Sequence, residues 1–228
     1  MKTCVIIPVY NHSEAIVHVV EALKPFGLSC YQVNDGSSEP CSAVLKRIAG
    51  QGEAVMNGLQ LAIAGGFSHA NQIDADGQHR LADISRFLEA SEQHPDNLIL
   101  GKPRFDATVP KKRLYGRQFT NLWIWINTLS VAIADGMCGF RCYPLAAVDK
   151  LLKSVQLGQR VDFDIEVVDR LYWQGLDVVN IDTEVQYPLD GISHFQMVQD
   201  NLLISRKHAQ LFFGMLWRLP RLLLRHWR

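Results

Sequence analysis

An α/β fold, built on a mostly parallel, doubly wound sheet and closed by a C-terminal amphipathic helical tail, follows from three features of the sequence. Short β-branched runs without polar alternation stand where strands buried on both faces belong. Amphipathic helical segments alternate with them. Polar, aspartate-containing loops follow the strands, on the edge where open α/β sheets bind ligands. The 228 residues, 48% hydrophobic and 20% charged, suffice for a large core and a small appendage. A catalytic domain over 1–200 and a tail over 201–228 are therefore expected.

The first strand is Cys4 to Val9, placed mid-sheet by its apolar run and broken by Pro8 and Asn11. Ser13 and Glu14 open a helix through Ile16, Val19, Val20 and Leu23, which Pro25 and Gly27 end. A second strand, Ser29 to Val33, runs into Asn34-Asp35-Gly36-Ser37-Ser38. A helix ends near Ile48 and another covers Glu53 to Ala64; between them there is no room for the strand that regular alternation would place there. A weaker strand, His69 to Ile73, leads into Asp74-Ala75-Asp76-Gly77-Gln78-His79, then a helix over Leu81 to Glu92 and a strand at Leu98 to Leu100. Downstream come a basic segment (Lys111, Lys112, Arg113, Arg117) and an apolar helix over Phe119 to Ala134, stopped by Asp135. Last are a loop to Arg141, a helix acidic at its start (Asp162, Asp164, Glu166) and a strand pair around Val178 and Val185.

Lysine plus arginine (23) balance aspartate plus glutamate (23), so no global field calls for nucleic acid and none is expected as a partner. The five cysteines, odd in number and unevenly spaced with no charged-then-apolar leader, point to a reduced, cytoplasmic protein. Cys138 and Cys142 lack the further ligands that a tetrahedral metal site needs. No stretch reaches the roughly 18 apolar residues of a membrane span.

Two carboxylates separated by one residue at a strand end, Asp74 and Asp76, suit a hard divalent cation and the diphosphate it would neutralise. Gln78 and His79 follow closely enough to support them. Aspartates in loops also form turns and cap helices, a reading open to Asp74, Asp76, Asp35 and Asp135 alike. Two acidic loops on one sheet edge, together with the burial cost of Asp74 at a strand end, weigh toward a ligand site.

Pro8-Val9-Tyr10-Asn11, Asn34-Asp35-Gly36-Ser37-Ser38, Gly52-x-Ala54 ahead of Gly58, Asp74-Ala75-Asp76-Gly77-Gln78 and Asp135-x-x-Cys138-Gly139-Phe140-Arg141 occur in this order. Together they resemble the motifs of family 2 glycosyltransferases, and within them the branch of dolichyl- and polyprenyl-phosphate sugar transferases and related bacterial enzymes. The resemblance spans roughly Thr3 to Phe195. It implies a GT-A fold, inversion at the sugar carbon, Mg2+ or Mn2+, and a UDP- or GDP-sugar donor. It places Pro8, Tyr10 and Asp35 in the nucleotide pocket, and Asp74, Asp76 and Gln78 on metal and diphosphate. Arg141 and His194 are counted with the donor-binding residues. Asp135 faces the acceptor as a catalytic candidate, with Asp164 as a second. A hydroxyl acceptor needs a base, whereas a phosphate acceptor is already ionised. The chain departs from the family pattern at Asn34 in place of the first aspartate, at Gln51 in place of lysine and at Cys138 in place of serine. Pro188 and Gly191-Ile192-Ser193-His194 stand where the branch has an arginine and a lysine, and His194 reads equally as one replacement charge or as a surface histidine.

After Asn201 the charged residues are Arg206, Lys207, Arg218, Arg221, Arg225 and Arg228, with leucines, phenylalanines, Trp217 and Trp227 between them and no acid. Such a helix reads as an in-plane contact with an anionic membrane, or as a helix packed on its own domain or another subunit. Pro220 is expected to break or kink it. The resulting expectation is an enzyme peripheral on the cytoplasmic face of the inner membrane, moving a sugar to a lipid-linked or membrane-associated acceptor. The competing readings are a catalytically weak partner in lipid or glycolipid assembly, which predicts a damaged acidic loop, and a nucleotidyltransferase, which predicts a glycine-rich signature near the first strand. The sequence leaves the oligomeric state open.

Overall fold

The computed structural model describes residues 1–34, 36–49, 55–105, 109, 111–158, 160–186 and 197–225. Six strands form one sheet in the order β2-β1-β3-β5-β4-β6. They are β1 (Thr3–Val9), β2 (Ser29–Asn34), β3 (His69–Gln72), β4 (Leu98–Phe105), β5 (Arg141–Pro144) and β6 (Val178–Val185). All neighbours run parallel except β5, which is antiparallel to both β3 and β4. The helices are α1 (Ala15–Leu23), α2 (Glu39–Ala49), α3 (Val55–Ala64), α4 (Ile84–Gln93), α5 (Lys111–Thr128), α6 (Leu145–Ser154), α7 (Val161–Gln174) and α8 (Met197–Arg225).

Period-two alternation along β1 divides its side chains between two cores. Cys4 and Ile6 join α3, α5, α6, α7 and α8 on one face. Val5, Ile7 and Val9 join α1, α2 and α4 on the other. Residues 4 to 7 of β1 have no exposed surface at all, as a central strand covered on both sides requires. The mostly parallel, doubly wound α/β architecture is thus borne out.

Four local expectations are corrected. The apolar helix ends at Thr128, well before Ala134, because Leu129 takes φ 52° and the Ser130 N–H returns to the Trp125 carbonyl. That is a left-handed helix stop made without glycine, which leaves no mark in the sequence. The expected strand pair around Val178 and Val185 is one strand paired with β4 along its whole length. Strand β5 and helix α6 were not anticipated, although Leu145, Val148 and Leu151 recur on one buried helical face. Pro220 lies inside α8 without ending it. The main-chain bond it lacks falls on the exposed side of the helix, where solvent can supply the missing donor. The expected gap in strands between Ile48 and Glu53, and with it Gln51, lies outside the described residues.

Helix α8 starts at Met197, so the expected boundary at 201 falls within it. Its inner face buries Ile204, Leu211, Met215 and Leu222 in the same core as α7. Lys207 donates to Glu166 at 2.7 Å and lies 3.4 Å from Asp162, fixing the helix by charge as well. His208 is 3% exposed, stacks on Trp123 with ring centroids 5.9 Å apart, and has neither ring nitrogen hydrogen-bonded. Burial holds its pKa down at about 4 from an ordinary 6.5, so the folded protein excludes a proton that the unfolded chain binds. Stability supplied by a neutral His208 is present above pH 6.5 and is lost as pH falls toward 4. In chemical denaturation, wild type should therefore lose up to about 3 kcal/mol relative to His208→Phe between pH 6.5 and 4. A difference constant across that window would show that His208 is not held neutral.

Candidate active site

Two loops at the carboxyl ends of β1 and β2 are knitted by asparagine side chains. Asn11, at φ 57°, accepts from the Ser38 N–H at 2.7 Å and receives the Ser37 hydroxyl as partner for its own N–H at 3.0 Å. Asn34 accepts from the Ser37 N–H at 2.8 Å while its amide donates to the Ser42 hydroxyl at 3.2 Å. A carboxylate at position 34 could not make that second bond, which explains why an amide serves there. These asparagines hold the loop around Asp35, which itself lies outside the described residues.

Beyond β3, the Asp74-Ala75-Asp76 turn faces a cleft of about 200 Å³ lined by Pro8, Val9, Tyr10, His12, Asp74, Ala75 and Asp76. Pro8 and Tyr10, expected on the nucleotide, share this cleft with the two aspartates, and Tyr10 is exposed. His12 was not anticipated; its place directly after the Pro-Val-Tyr-Asn run was the available signal. The Asp76 carboxylate accepts from the Gln78 N–H at 3.0 Å, and Gly77 at φ 72° allows the tight turn between them. Gln78 is not among the lining residues of the cleft. Its carbonyl instead accepts the Gln186 N–H at 3.1 Å and ties the turn to the end of β6.

The loop of residues 135–140 approaches from the other side. Asp135 is buried and gripped by both arms of Arg117, with further bonds from the Met137 N–H at 2.8 Å and the Asn121 amide at 3.4 Å. The carboxylate is therefore saturated with donors. Gly139 packs directly on Asp74, and a Cβ at that position would overlap the Asp74 carboxylate. Arg141, expected on the donor, does not reach the cleft. It is fully buried and spends its donors on the carbonyls of Cys138 at 2.6 Å, Gly136 at 2.9 Å and Asp164 at 3.1 Å. It also meets the Tyr143 hydroxyl at 3.3 Å and the Asp164 carboxylate at 3.1 Å.

Asp164, in the first turn of α7, keeps a third of its side chain exposed. Its Oδ1 makes no well-aligned hydrogen bond, only the Arg141 ion pair. Burial, opposed by Arg141 and reinforced by the Asp74 charge, raises its pKa to about 6. Asp76 is likewise pushed up to about 6, first by burial and then by Asp74. Asp74 itself is penalised by burial, yet His79, Arg141 and Arg117 outweigh this and hold its pKa below the ordinary value. His79 lies 3.8 Å from Asp74. His194 lies outside the described residues.

These residues fit a divalent cation. Asp74 and Asp76 are hard oxygen donors facing the cleft, and the raised pKa of Asp76 reports carboxylate charge short of a counter-ion. Among the described residues no group of three or more histidine, cysteine, aspartate or glutamate side chains is arranged to hold a metal.

The chain has the GT-A fold, and its resemblance to family 2 glycosyltransferases is borne out by the proteins it is similar to. Among solved structures it is similar to glucosyl-3-phosphoglycerate synthase from Mycobacterium tuberculosis in complex with Mn2+ and UDP-glucose, with TM-score 0.63 and 15% identity, covering 94% of this chain and 78% of that one. The same synthase in complex with phosphoglyceric acid gives TM-score 0.60 at 14% identity, covering 94% and 79%. In sequence it is similar to polyprenol monophosphomannose synthase from Mycolicibacterium smegmatis, 27% identical over 204 residues, which cover 79% of this chain and 76% of that protein. No family model matches.

Because Gly139 leaves the space that Asp74 occupies, Gly139→Ala should displace that carboxylate and lower turnover by about 10²-fold, the scale of a 1 Å misplacement. Steady-state kinetics with a melting curve decide the matter. A soluble variant of normal activity would show that the Asp74 position is not critical.

Proposed function

We propose that the protein transfers a sugar, with inversion, from a UDP- or GDP-sugar to a lipid-linked or membrane-associated acceptor, in a reaction dependent on Mg2+ or Mn2+. The observation that carries this reading is the pair Asp74 and Asp76 in the lining of one cleft together with Pro8, Tyr10 and His12. Asp76, with Asp74 beside it, would hold the cation, and the diphosphate of the donor would complete the shell. When bound, the cation supplies charge neutralisation for the departing nucleoside diphosphate. Support for metal and donor comes from the synthase of the same fold crystallised with Mn2+ and UDP-glucose. Support for a polyprenol-phosphate type of acceptor comes from the name of the mycobacterial relative.

The chain's own residues divide the remaining work. Pro8 and Tyr10 would flank the nucleotide, with Asp35 on base or ribose, Gln78 behind the diphosphate and His194 as a further donor contact. Asp135, held by Arg117, shapes the acceptor side; to act as a base it would first have to leave that clamp. Asp164 is the less tightly held proton acceptor of the two, because a third of its side chain stays exposed and its pKa lies near 6. The outward apolar face of α8 favours a site of work on the cytoplasmic face of the inner membrane, with the domain and tail acting together.

Calorimetric titration of UDP, GDP and their sugars, with and without Mn2+, tests the core of the proposal. Binding should require metal, and Asp76→Asn should weaken it by about 10² or more, beyond what groups that only orient a ligand contribute. Equal affinity with and without Mn2+ in both proteins would defeat the reading.

For a hydroxyl acceptor, Asp164→Asn should lower kcat by about 10²- to 10⁴-fold while donor affinity holds. A base works when ionised, so wild-type kcat should fall as pH drops through about 6 and the variant should lack that limb. An unchanged pH profile in Asp164→Asn would assign the proton to another group.

A further inference from the structure

Two helices far apart in the chain present apolar side chains to solvent. On α8 the exposed ones include Val198, Leu202, Phe213, Leu216, Trp217 and Leu224, opposite the face that packs on the domain. A helix apolar on two opposite sides has only one of them covered. On α5, Tyr115, Phe119 and Leu122 recur at the spacing of a single helical face and are 72%, 61% and 48% exposed. Side chains of this size left open in a connected group mark a contact surface.

The two faces are joined by aromatic rings. Phe119 meets Trp123 edge-on at 6.4 Å, Trp123 meets Phe212 at 6.2 Å, and Phe212 meets Phe213 at 6.0 Å. Phe119 and Phe213, the exposed ends of this series, therefore belong to one surface. Its charge is of one sign. Helix α5 presents Lys111 and Arg113 exposed and carries no acid, and α8 has one acid, Asp200, which is 2% exposed. Arg206 and Arg221 stand exposed on the outer side of α8. Two copies of such a face would bring cations against cations, whereas an anionic lipid surface complements both the charge and the apolar rings.

We infer that the outer face of α5, together with that of α8, forms one docking plane for an anionic bilayer, reaching the acceptor side of the active site. Arg117 lies between Tyr115 and Phe119 in sequence, and its guanidinium grips Asp135. The membrane contact thus comes within one helical turn of a residue that shapes the acceptor side. A lipid-linked acceptor could reach the site along α5 without leaving the surface. This inference rests on the proposed lipid acceptor and adds the part of the protein that meets its membrane.

The test compares the full chain with the triple variant Tyr115→Ser, Phe119→Ser, Leu122→Ser, none of which lines the cleft or the core. Co-sedimentation with phosphatidylglycerol and with phosphatidylcholine vesicles, at low and high salt, measures docking. UDP and GDP binding with Mn2+, measured on the same samples, reports the donor site independently. Wild type should bind phosphatidylglycerol vesicles and the triple variant should bind about tenfold less or weaker still, with nucleotide binding equal in the two. Undiminished vesicle binding by the variant would remove α5 from the plane. Wild type remaining in the supernatant, or a dimer in solution that the triple variant dissociates, would overturn the bilayer as occupant. Absence of metal-dependent nucleotide binding alongside α5-dependent docking would instead defeat the proposed donor chemistry and leave the docking plane standing.

Discussion

A guanidinium with no access to solvent must find all its partners inside the protein, and Arg141 imposes that requirement on this site. An unpaired buried charge costs several kcal/mol, so the loop ahead of β5 is shaped to bring the Gly136 and Cys138 carbonyls onto it. The same side chain takes the Asp164 carbonyl and carboxylate, and so sets where α7 begins. With that loop fixed, Gly139 comes to lie under Asp74, and Asp135 is delivered to Arg117. Strand β5 is four residues long and antiparallel to its neighbours, and its first residue, Arg141, anchors it through the Cys138, Gly136 and Asp164 carbonyls. An arginine that looked like a ligand contact is the pin around which the contacts are arranged.

The field at the site is divided rather than uniform. Asp74 sits within reach of His79, Arg141 and Arg117 and is kept ionised, whereas Asp76 and Asp164 are raised to about 6 by burial and by Asp74 itself. Carboxylates of one chemistry thus hold different protonation tendencies because their surroundings differ. A diphosphate entering this cleft meets anionic walls. The electrostatics favour its arrival together with a cation, not alone.

What the sequence disclosed, it disclosed through periodicity and turn chemistry. The unbroken apolar run of β1, the aspartates at the end of β3 and the alternation of helices follow from burial on two faces, and all were legible. The helix end at Leu129 was not, because its left-handed stop uses a residue that normally avoids that conformation. Strand β5 was hidden for a related reason: four fully buried residues that begin with arginine do not read as a strand until the partners of that arginine are known. The roles of Asp135 and Arg141 were equally out of reach. Both are charged residues in a glycine-containing loop, and only the hydrogen-bond geometry separates a group turned to the cleft from one consumed by its neighbours. The helical tail was recognised, but composition could not tell that it has two apolar sides, one spent on α7 and one left open.

Cys138 stands where the resemblance to family 2 glycosyltransferases has a serine, next to the Gly139 that packs on Asp74. Its thiol is 1% exposed, and burial pushes its pKa up to about 12. At neutral pH the thiolate is then about one part in 10⁵. Since the thiolate is the form that reacts with peroxides, disulfides and alkylating agents, the exchange of oxygen for sulfur introduces no redox sensitivity into the loop. Sulfur here acts as a small apolar filler in the core beneath the loop.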